Sequence, residues 1–516
     1  MIKYNLILNV DSYKNDHFRM LNKDISILQS SGIARAAKVN TEVKKIIPFG
    51  LTYLVREYLI QKITKENIDE AELAYKRKGY NFDRERWEYI LNKHDGNLPI
   101  KLHSIKEGVA IPLNVPIYRI ENTDENCAWL VSYLETLILR IVWYATTVAT
   151  NANYIRDIFI KYAKIHFGEN YNYNDLIKFM LHNFGARGAS SYEAEIISSM
   201  AHALSFAGSD SMQVERNIDY YYSKLRNEQI DNNNLPFYTA SVIASEHSVS
   251  CSLADAETEN DYPILVRMLD IMEEEIELKK KNNTLYISGQ NGEKIINPTI
   301  ISIVIDTYDA DRFASKFIGE IEKDRIKSLA KLGGKLVLRP DSGDATTMPI
   351  EICEILFKKF EEDCSINSLG FKKLPSYLGI LQGDGINPKS INQILENATN
   401  KKIAMSNFVF GMGGQLVHPE GGRDSYSFAM KATAQKMKST GEWVDLLKNP
   451  ITDKGKKSLS GYISTFINED GRIMALKIVD VEKRNDNYWK DMMVEIFNNG
   501  EVVEENMPSF NEIRRF

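Results

Sequence analysis

Five segments of the chain share one pattern, in which a short apolar run ends directly in polar or glycine-rich residues. Such short runs, rich in β-branched residues, are typical of buried strands. The runs, each with the residues that follow it, are 239–243 before 245–248, 301–305 before Asp306, 335–338 before 339–343, 377–381 before 382–385, and 408–410 before 411–414. Strands of a (β/α) barrel bring their last residues together around one site. The pattern therefore predicts an α/β fold containing an irregular barrel with a single shared site.

The rest of the hydrophobic pattern divides the chain into three parts. Alternating helix and strand patterns over 151–422 favour a barrel of parallel strands, and 1–150 predicts an α+β domain. Within that domain the pattern predicts a helix over 68–91 broken at Lys78 and Gly79, antiparallel strands over 100–120, and a buried helix starting near Glu125 behind the capping residues Thr123 and Asp124. In the last part, 423–516, we expect 461–467 and 473–479 to form strands that return to the N-terminal sheet.

Composition limits the class of protein. The 516 residues are 43% hydrophobic and 26% charged, as in ordinary globular enzymes, and a net charge of -6 argues against a nucleic-acid-binding protein. Four cysteines without metal-ligand spacing favour a reduced, cytoplasmic protein. The first ten residues do not resemble a signal peptide, and the apolar helix over 128–144 contains Glu135 and Arg140, so no membrane partner is expected.

His247 is the first candidate for chemistry, because it stands between Glu246 and Ser248 just after a predicted strand. A lone histidine is more often structural than catalytic. Here Glu246 and Asp306 are both candidate partners, since a carboxylate on one ring nitrogen fixes the tautomer and leaves the other nitrogen free. For Asp306 the competing interpretation is a helix cap.

The other strand-end loops carry aromatic, acidic and basic groups. They include Phe184 and Arg187 beside Gly185 and Gly188, Asp210 in a glycine-serine turn, Arg339 with Asp341, Gly383 with Asp384, and Gly413 with Gly414 ahead of Arg423 and Lys431. Arginines and glycine amides suit phosphate, and acids suit sugar hydroxyls or a hydrated metal ion. Each loop alone is equally typical of a surface turn or a helix cap. No Walker loop and no dinucleotide fingerprint is present in the sequence.

Taken together, the ordered motifs resemble the nicotinamide phosphoribosyltransferase family of type II phosphoribosyltransferases. The matching segments are 11–14, 121–124, 146–151, 184–188, 208–210, 246–248, 306–309, 339–343, 382–385 and 410–414. The resemblance implies that nicotinamide and phosphoribosyl pyrophosphate give nicotinamide mononucleotide and pyrophosphate with Mg²⁺. It also implies that ATP hydrolysis is coupled through a phosphohistidine.

The resemblance also implies roles for individual residues. His247 would be phosphorylated, with Asp306 as its orienting partner and Glu246 adjacent, while Asp341 and Asp384 would lie near the sugar. The remaining substrate-binding residues would be Phe184, Tyr13, Asp210, Asp11, Arg187, Arg339, Gly383 and Ser302. The phosphate-binding residues would be Arg35, Gly413, Gly414, Arg423, Lys431, Lys448 and Lys456.

Family members bind the pyridine ring between two aromatic side chains, and these match Phe184 and Tyr13. In the family the second ring comes from the other subunit, so the resemblance implies a homodimer with shared sites, in which Asp11 and Arg35 also cross the interface. Asp210 favours nicotinamide, because nicotinate would place two negative charges together. Nicotinate phosphoribosyltransferase is the alternative activity.

The chain departs from the family pattern at a few places. Ala186 replaces a larger aromatic residue, and a polar insertion occupies 220–236. The loop that contains Gln415 and His418 differs from the family's usual sequence before the phosphate-binding arginine. These departures bear on affinity and ATP coupling. A phosphosugar lyase or isomerase would instead need a Schiff-base lysine or an enolising base, for which the sequence offers no good candidate. A non-enzymatic relative would have lost His247 and the acids.

Overall fold

The computed structural model describes residues 4–223, 237–288, 294–452, 458–484 and 488–516. Two seven-stranded sheets organise these residues. We name them the barrel sheet, which is built from the middle of the chain, and the terminal sheet, which is built from both ends.

All paired neighbours in the barrel sheet are parallel. Its strands, in chain order, are Leu181–Asn183, Gly208–Ser209, Ile243–Ala244, Thr299–Val304, Gly334–Arg339, Leu378–Gln382 and Phe408–Met412. The two edge strands approach each other through a parallel bridge between Gly208 and Ala240, which curls the sheet toward closure. The predicted α/β fold with an irregular barrel is confirmed, and the carboxyl ends of the strands meet on one face.

Helices cover the outside of the barrel sheet, as crossover connections between parallel strands require. The longer ones are Tyr192–Ala203, Gln213–Tyr222, Tyr262–Lys281, Phe313–Ile321, Lys323–Ala330, Met348–Lys359 and Pro388–Asn400. Shorter helical segments are Asn174–Ile177, Ala186–Gly188, His247–Leu253, Ala310–Arg312, Glu361–Asp363, Met405–Asn407, Gly414–Val417 and Gly422–Asp424. Two hairpins decorate this part of the chain, Tyr286–Ser288 with Lys294–Ile296 and Ser365–Ile366 with Lys372–Lys373.

The terminal sheet is antiparallel and joins strands from opposite ends of the chain. Its spatial order is Trp443–Asp445, Phe428–Met437, Ile25–Ala34, Pro116–Asn122, Ile100–Ile105, Met493–Asn498 and Glu501–Val502. The prediction of which tail strands enter this sheet was wrong, because Ile463–Asn468 pairs with Ile473–Lys477 on one side and with Trp489–Asp491 on the other, in a separate sheet. A small two-stranded sheet joins Lys45–Ile46 to Ile111–Pro112.

The remaining helices lie near the two ends of the chain. They are Leu6–Leu8, Ser12–Asp16, His17–Met20, Leu51–Leu54, Val55–Leu59, Lys65–Arg77, Arg84–Lys93, Ile478–Arg484, Glu504–Asn506 and Phe510–Ile513. The helix pattern over 68–91 thus becomes two helices, separated by the turn that Lys78 and Gly79 begin.

The long apolar helix is interrupted where the pattern predicted continuity. Asp124 accepts a hydrogen bond from the amide of Asn126 at 2.8 Å, but the helix turns it opens, Glu125–Cys127 and Ala128–Tyr133, stop at Leu134. A second helix, Glu135–Phe167, then continues at an angle of 45° and buries most of its apolar side chains. Across the described residues no single helix is long and apolar enough to cross a membrane, and this bent pair passes by length and composition only.

Candidate functional site

A short parallel pairing fixes the loop that carries His247. Ile243–Ala244 pairs with the strand Thr299–Val304, and the buried Ser245 then donates its amide to the carbonyl of Ser302 at 2.9 Å. The Ser245 hydroxyl accepts the amide of Val304, also at 2.9 Å. His247 follows as the first residue of the helix His247–Leu253, so the end of the neighbouring strand determines its position.

His247 and Asp306 form a pair of unequal exposure. Nε2 of His247 lies 3.1 Å from Oδ1 of Asp306, whose side chain is 3% exposed while the imidazole is 44% exposed. The amide of Asp341 donates to the other carboxylate oxygen of Asp306 at 2.9 Å, which fixes that carboxylate. Nδ1 of His247 faces Asp341, with 3.8 Å to Oδ2. A fixed acceptor on Nε2 orients the ring and leaves Nδ1 available to react.

Glu246, the other candidate partner, is exposed and stands at the N-cap of the same helix. Its carbonyl accepts the amides of Val249 and Ser250, and among the described residues its carboxylate has no hydrogen bond or ion pair with His247. The carboxylate that orients the imidazole is therefore that of Asp306.

An aromatic wall stands beside this pair. The Phe184 ring packs so closely on Gly411 that a Cβ there would lie 2.1 Å from Cε2 of the ring. A Cβ on Gly383 would lie 3.5 Å from the same ring, 3.4 Å from Oδ1 of Asp341 and 3.7 Å from Cδ of Arg339. Gly383 thus marks the point where a ring face, a carboxylate and a guanidinium-bearing side chain converge.

The polar groups around that point are only loosely paired. Nη2 of Arg339 lies 3.7 Å from Oδ2 of Asp341, and its Nε is buried without a hydrogen-bond partner in the described structure. Asp384 is exposed, and its carboxylate has no described partner. Ser302 is buried beneath the site, within the strand Thr299–Val304. The loosely held groups leave donors and acceptors for a ligand.

Asp210 lies at the end of the neighbouring strand, where its amide donates to the carbonyl of Asn183 at 3.1 Å. The hydroxyl of Ser241 donates to Oδ1 of the exposed carboxylate at 2.5 Å, which leaves Oδ2 for another donor. Burial lowers the pKa of His182, and the nearby Asp210 charge opposes that shift. The buried imidazole of His182 therefore favours its neutral form near this carboxylate.

The glycine turn after the last barrel strand packs against the loop that carries Phe184. A Cβ on Gly188 would lie 3.4 Å from Cα of Gly414, and one on Gly185 would lie 3.2 Å from the carbonyl oxygen of Gly413. In the described part of the chain the amides of Gly413 and Gly414 form no hydrogen bond. These amides border the same site and could meet an anion.

Two predicted phosphate or substrate ligands stand on exposed turns nearby. Arg187 is exposed in the segment Ala186–Gly188 and has no hydrogen bond or ion pair within the described ranges. Arg423 is 54% exposed, and its Nη2 lies 3.5 Å from Oδ1 of Asp424. Neither guanidinium is held in a fixed geometry.

A second cluster of predicted residues lies on the terminal sheet. Arg35, Lys431 and Lys448 line one small hollow between neighbouring strands. Nε of Arg35 donates to the carbonyl of Ser427 at 3.1 Å, and Lys431 stands opposite Ser31 in the strand register. We call Arg35, Lys431 and Lys448 the cation cluster. Lys456, predicted with them, lies outside the described residues.

The segment that carries Tyr13 borders the cation cluster. The Thr136 hydroxyl donates to Asp11 at 2.7 Å, and Glu135 binds both Lys14, at 2.7 Å, and Lys431, at 3.3 Å. Tyr13 itself is 57% exposed. We call residues 11–14 the aromatic segment. No hydrogen bond or ion pair of the described residues joins this surface to the His247 side of the barrel.

Sequence reasoning missed Glu135 and Thr136. Their signal is a charged residue and a hydroxyl directly before the apolar run 137–139 at the start of a helix. The apolar pattern predicts a core helix, and the long sequence separation of Glu135 from Lys14 and Lys431 gives no sign of their shared contact.

Carboxylates suitable for a divalent metal ion are present beside the site. Asp341 is held only through long contacts, and Asp384 is exposed, so both offer oxygen ligands of the kind that Mg²⁺ shares with substrate phosphates. Elsewhere, His94, Asp124 and Cys127 lie close together. There Asp124 already accepts hydrogen bonds from Tyr89 and Asn126, and burial raises the pKa of Cys127 to about 12, so a helix cap explains this group.

Comparison with solved structures identifies the class of fold. Nicotinate-nucleotide pyrophosphorylase from Pyrococcus furiosus is similar over 100% of this chain and 96% of its own, with a TM-score of 0.53 and 14% identity. Human nicotinic acid phosphoribosyltransferase is similar over 98% and 92%, with a TM-score of 0.51 and 15% identity. At these identities the likeness shows the fold alone, which is that of the type II phosphoribosyltransferases.

Sequence comparison is more specific. Residues 179–501 match the nicotinate phosphoribosyltransferase (NAPRTase) family, and residues 5–102 match the nicotinamide phosphoribosyltransferase N-terminal domain. The chain belongs to the nicotinate phosphoribosyltransferase (NAPRTase) family and is a pentosyltransferase, a phosphoribosyltransferase of NAD biosynthesis.

Curated relatives support the resemblance found in the motifs. The nicotinamide phosphoribosyltransferase of Xanthomonas campestris pv. campestris is 29% identical over 97% of this chain and 96% of its own. That of Acinetobacter baylyi is 27% identical over 90% and 88%. That of Mycoplasma genitalium is 30% identical over 71% of each chain.

Proposed function

We propose that this enzyme is a nicotinamide phosphoribosyltransferase of NAD salvage, which converts nicotinamide and phosphoribosyl pyrophosphate to nicotinamide mononucleotide and pyrophosphate. The observation that carries the proposal is the convergence of Phe184, Arg339 and Asp341 on Gly383, beside His247 held by Asp306. A ring face, a cation, a carboxylate and an activated imidazole are together what this reaction and its coupled step require.

The pyridine ring would stack on the exposed face of Phe184. The ring packs closely on the backbone at Gly411, which restricts its movement on that side. Tyr13 of a second subunit would cover the pyridine from the other side, since flat rings gain about 0.5–1.5 kcal/mol per aromatic contact beyond their burial. The free Oδ2 of Asp210 would accept a hydrogen bond from the nicotinamide amide.

The ribosyl transfer separates charge. The pyridine nitrogen donates its lone pair to C1 of the ribose while the bond from C1 to pyrophosphate breaks, and pyrophosphate leaves with that electron pair. Asp341 and Asp384 would stabilise the cationic sugar, and Arg187, Arg339, Arg423 and the cation cluster would bind the departing anion. Mg²⁺, held by Asp341 and Asp384, would neutralise charge on pyrophosphate oxygens when bound.

ATP coupling would use the nitrogen of His247 that Asp306 does not bind. Because Nε2 is bonded to Asp306, Nδ1 is the nitrogen free to attack the γ-phosphorus of ATP, forming a P–N bond as the P–O bond to ADP breaks. Asp306 would stabilise the positive charge that develops on the ring. Water would then hydrolyse the phosphohistidine.

The enzyme would act as a homodimer with shared sites. The aromatic segment and the cation cluster lie together on one surface, while His247, Asp306 and Phe184 lie on another. A two-fold arrangement would bring the first surface of one subunit against the second surface of its partner. We place the enzyme in the cytoplasm, because the described cysteines are all unpaired thiols.

Product analysis tests the proposal. Purified enzyme with phosphoribosyl pyrophosphate and Mg²⁺, with and without ATP, is given nicotinamide or nicotinate in parallel, and the mononucleotides are separated by chromatography. We expect nicotinamide mononucleotide as the main product. Exclusive formation of nicotinate mononucleotide would establish the alternative activity, and absence of both products would refute the proposal.

A further inference from the structure

We propose that Glu135 is a positioning residue that couples the aromatic segment to the cation cluster, so that one subunit presents both elements to its partner in a fixed geometry. This inference rests on the proposed function, in which Tyr13 stacks on the pyridine and Lys431 binds phosphate.

The first support is the position of Glu135 in the chain. It is the first residue of the helix Glu135–Phe167, immediately after the break at Leu134. The rest of that helix is packed into the core, so the carboxylate projects from a rigid base and is 23% exposed. Because this short side chain starts from a fixed helix, a movement of one of its two lysine partners is transmitted to the other.

The second support is the asymmetry of those partners. Lys14, on Oε2, has a side chain that is only 4% exposed, whereas Lys431, on Oε1, is 50% exposed. A buried ammonium needs its carboxylate, because an unpaired buried charge is costly. An exposed ammonium can exchange the carboxylate for a phosphate at little cost. Glu135 is thus a permanent anchor for the aromatic segment and a replaceable partner for the phosphate-binding lysine.

The third support is the direction of the Tyr13 ring. The ammonium of Lys14 lies 5.6 Å from the centre of that ring, and Asp11 is tied to Thr136, the neighbour of Glu135, by hydrogen bonds of 2.7 and 3.3 Å. Adjacent residues of one helix therefore hold the aromatic segment on both sides of Tyr13. The orientation of this ring depends on the first turn of the helix.

These contacts predict opposite effects on the two substrates. In Glu135→Gln, the aromatic segment loses its anchor and the KM for nicotinamide should rise about tenfold, while Lys431 is freed and the KM for phosphoribosyl pyrophosphate should stay level or fall. In Lys14→Met, Glu135 pairs with Lys431 alone and makes it less available to phosphate, so both KM values should rise. The double variant Glu135→Gln/Lys14→Met has no buried charge, and it should recover part of the nicotinamide affinity.

Glu125→Gln is the matched control, because Glu125 begins the helical segment that precedes the same bend, and its ion pair in the described part of the chain is with the exposed Lys438, at 3.5 Å. It should leave both KM values unchanged. Parallel rises in both KM values for Glu135→Gln, or no change in either, would overturn the inference.

Hydrogen–deuterium exchange decides the inference independently of catalysis. Glu135→Gln should exchange faster over 11–17 than wild type, and pyrophosphate should alter exchange in that segment in wild type but not in the variant. Identical exchange in the two proteins would refute the coupling. If the enzyme forms no nicotinamide mononucleotide, the proposed function fails, and the exchange result still settles whether Glu135 links the two elements.

Discussion

His247 and Asp306 illustrate how burial assigns roles within a pair. The carboxylate is almost completely enclosed and receives a second hydrogen bond from the amide of Asp341, so it has no freedom to move. The imidazole is 44% exposed, and its second nitrogen, Nδ1, has only a long contact of 3.8 Å to Asp341. The buried member therefore sets orientation and the exposed member performs the chemistry.

Removing the buried member should impair phosphorylation of His247. In Asp306→Asn a neutral amide replaces the charged carboxylate that accepts the hydrogen bond from Nε2. We therefore expect the initial rate of phosphohistidine formation from labelled ATP to fall about 10- to 100-fold. Acid-labile label on the protein measures this rate, with His247→Ala as the blank. Glu246→Gln is the control, and an equal loss in that variant would contradict the role given to Asp306.

Asp210 should set the choice between pyridines. In Asp210→Asn the charge that repels nicotinate is absent, so the ratio of kcat/KM for nicotinamide over nicotinate should fall at least about tenfold. Competition assays with both pyridines measure this ratio. Ser241→Ala, which removes only the neighbouring hydroxyl, should change it little, and an unaltered ratio in Asp210→Asn would exclude Asp210 as the selecting group.

At the scale of elements, the spacing between barrel strands determines the shape of the aromatic wall. Gly411→Ala would place a Cβ 2.1 Å from the Phe184 ring and force the ring into the site, whereas Gly379→Ala, on the adjacent strand, would meet its nearest neighbour at an ordinary 3.6 Å. We expect the first variant to raise the KM for nicotinamide about tenfold or more, and the second to leave it unchanged. Steady-state kinetics compare the two, and equal KM values would show that the ring does not bind the substrate.

The sequence predicts the elements of the barrel better than those around it. Asp306, Asp341 and Gly383 each lie one or two residues after a strand of one parallel sheet, so their meeting follows from the strand pattern and the common direction of the strands. The bend at Leu134 has no glycine or proline to mark it, so the pattern predicts one continuous helix there. Apolar and polar residues alternate clearly enough in the tail to predict strands. Which strands they pair with depends on the sheet edges that are free in the folded chain, and no local sequence pattern shows this.

The parts of the site that the sequence does not predict depend on contacts between residues far apart in the chain. Glu135 meets Lys14 and Lys431 only because two distant segments fold onto the start of one helix. The resemblance to a family, rather than periodicity, placed Tyr13, Arg35 and Lys448 near a substrate. Their assignment to phosphate and pyridine stays a prediction.

At the scale of the whole molecule, buried neutral histidines should make the fold sensitive to acid. Burial lowers the pKa of His166 and of His202 to about 4, and that of His103 to about 3. Below the unfolded value of about 6.5, the unfolded chain binds protons that the folded chain does not, so stability should fall as pH falls from 6.5 toward 4, by at most about 1.4 kcal/mol per pH unit for each histidine.

Urea unfolding at several pH values measures this dependence. His166→Gln should flatten the dependence, because it removes one of the protonations that acid brings to the unfolded chain. A wild-type unfolding free energy that does not change between pH 6.5 and 5 would contradict the prediction.

Shared sites should allow two inactive subunits to rescue each other. The His247→Ala variant lacks the nucleophile. The Tyr13→Ala/Lys431→Ala variant lacks the two side chains that would complete the site of the partner subunit. Refolding equal amounts together should give mixed dimers with one intact site each, and about a quarter of the wild-type ATP-coupled activity. Activity no higher than that of the separate variants would show that each site is built from a single subunit.

The terminal sheet has a consequence for biosynthesis. Ile25–Ala34 leaves the ribosome early, yet one of its two neighbours, Phe428–Met437, is translated only after the entire barrel. Until then the nascent N-terminal strand has an open hydrogen-bonding edge that invites aggregation. Premature termination before the tail would leave that edge open permanently, so truncated chains should be substrates for chaperones and proteases even when their barrel is intact.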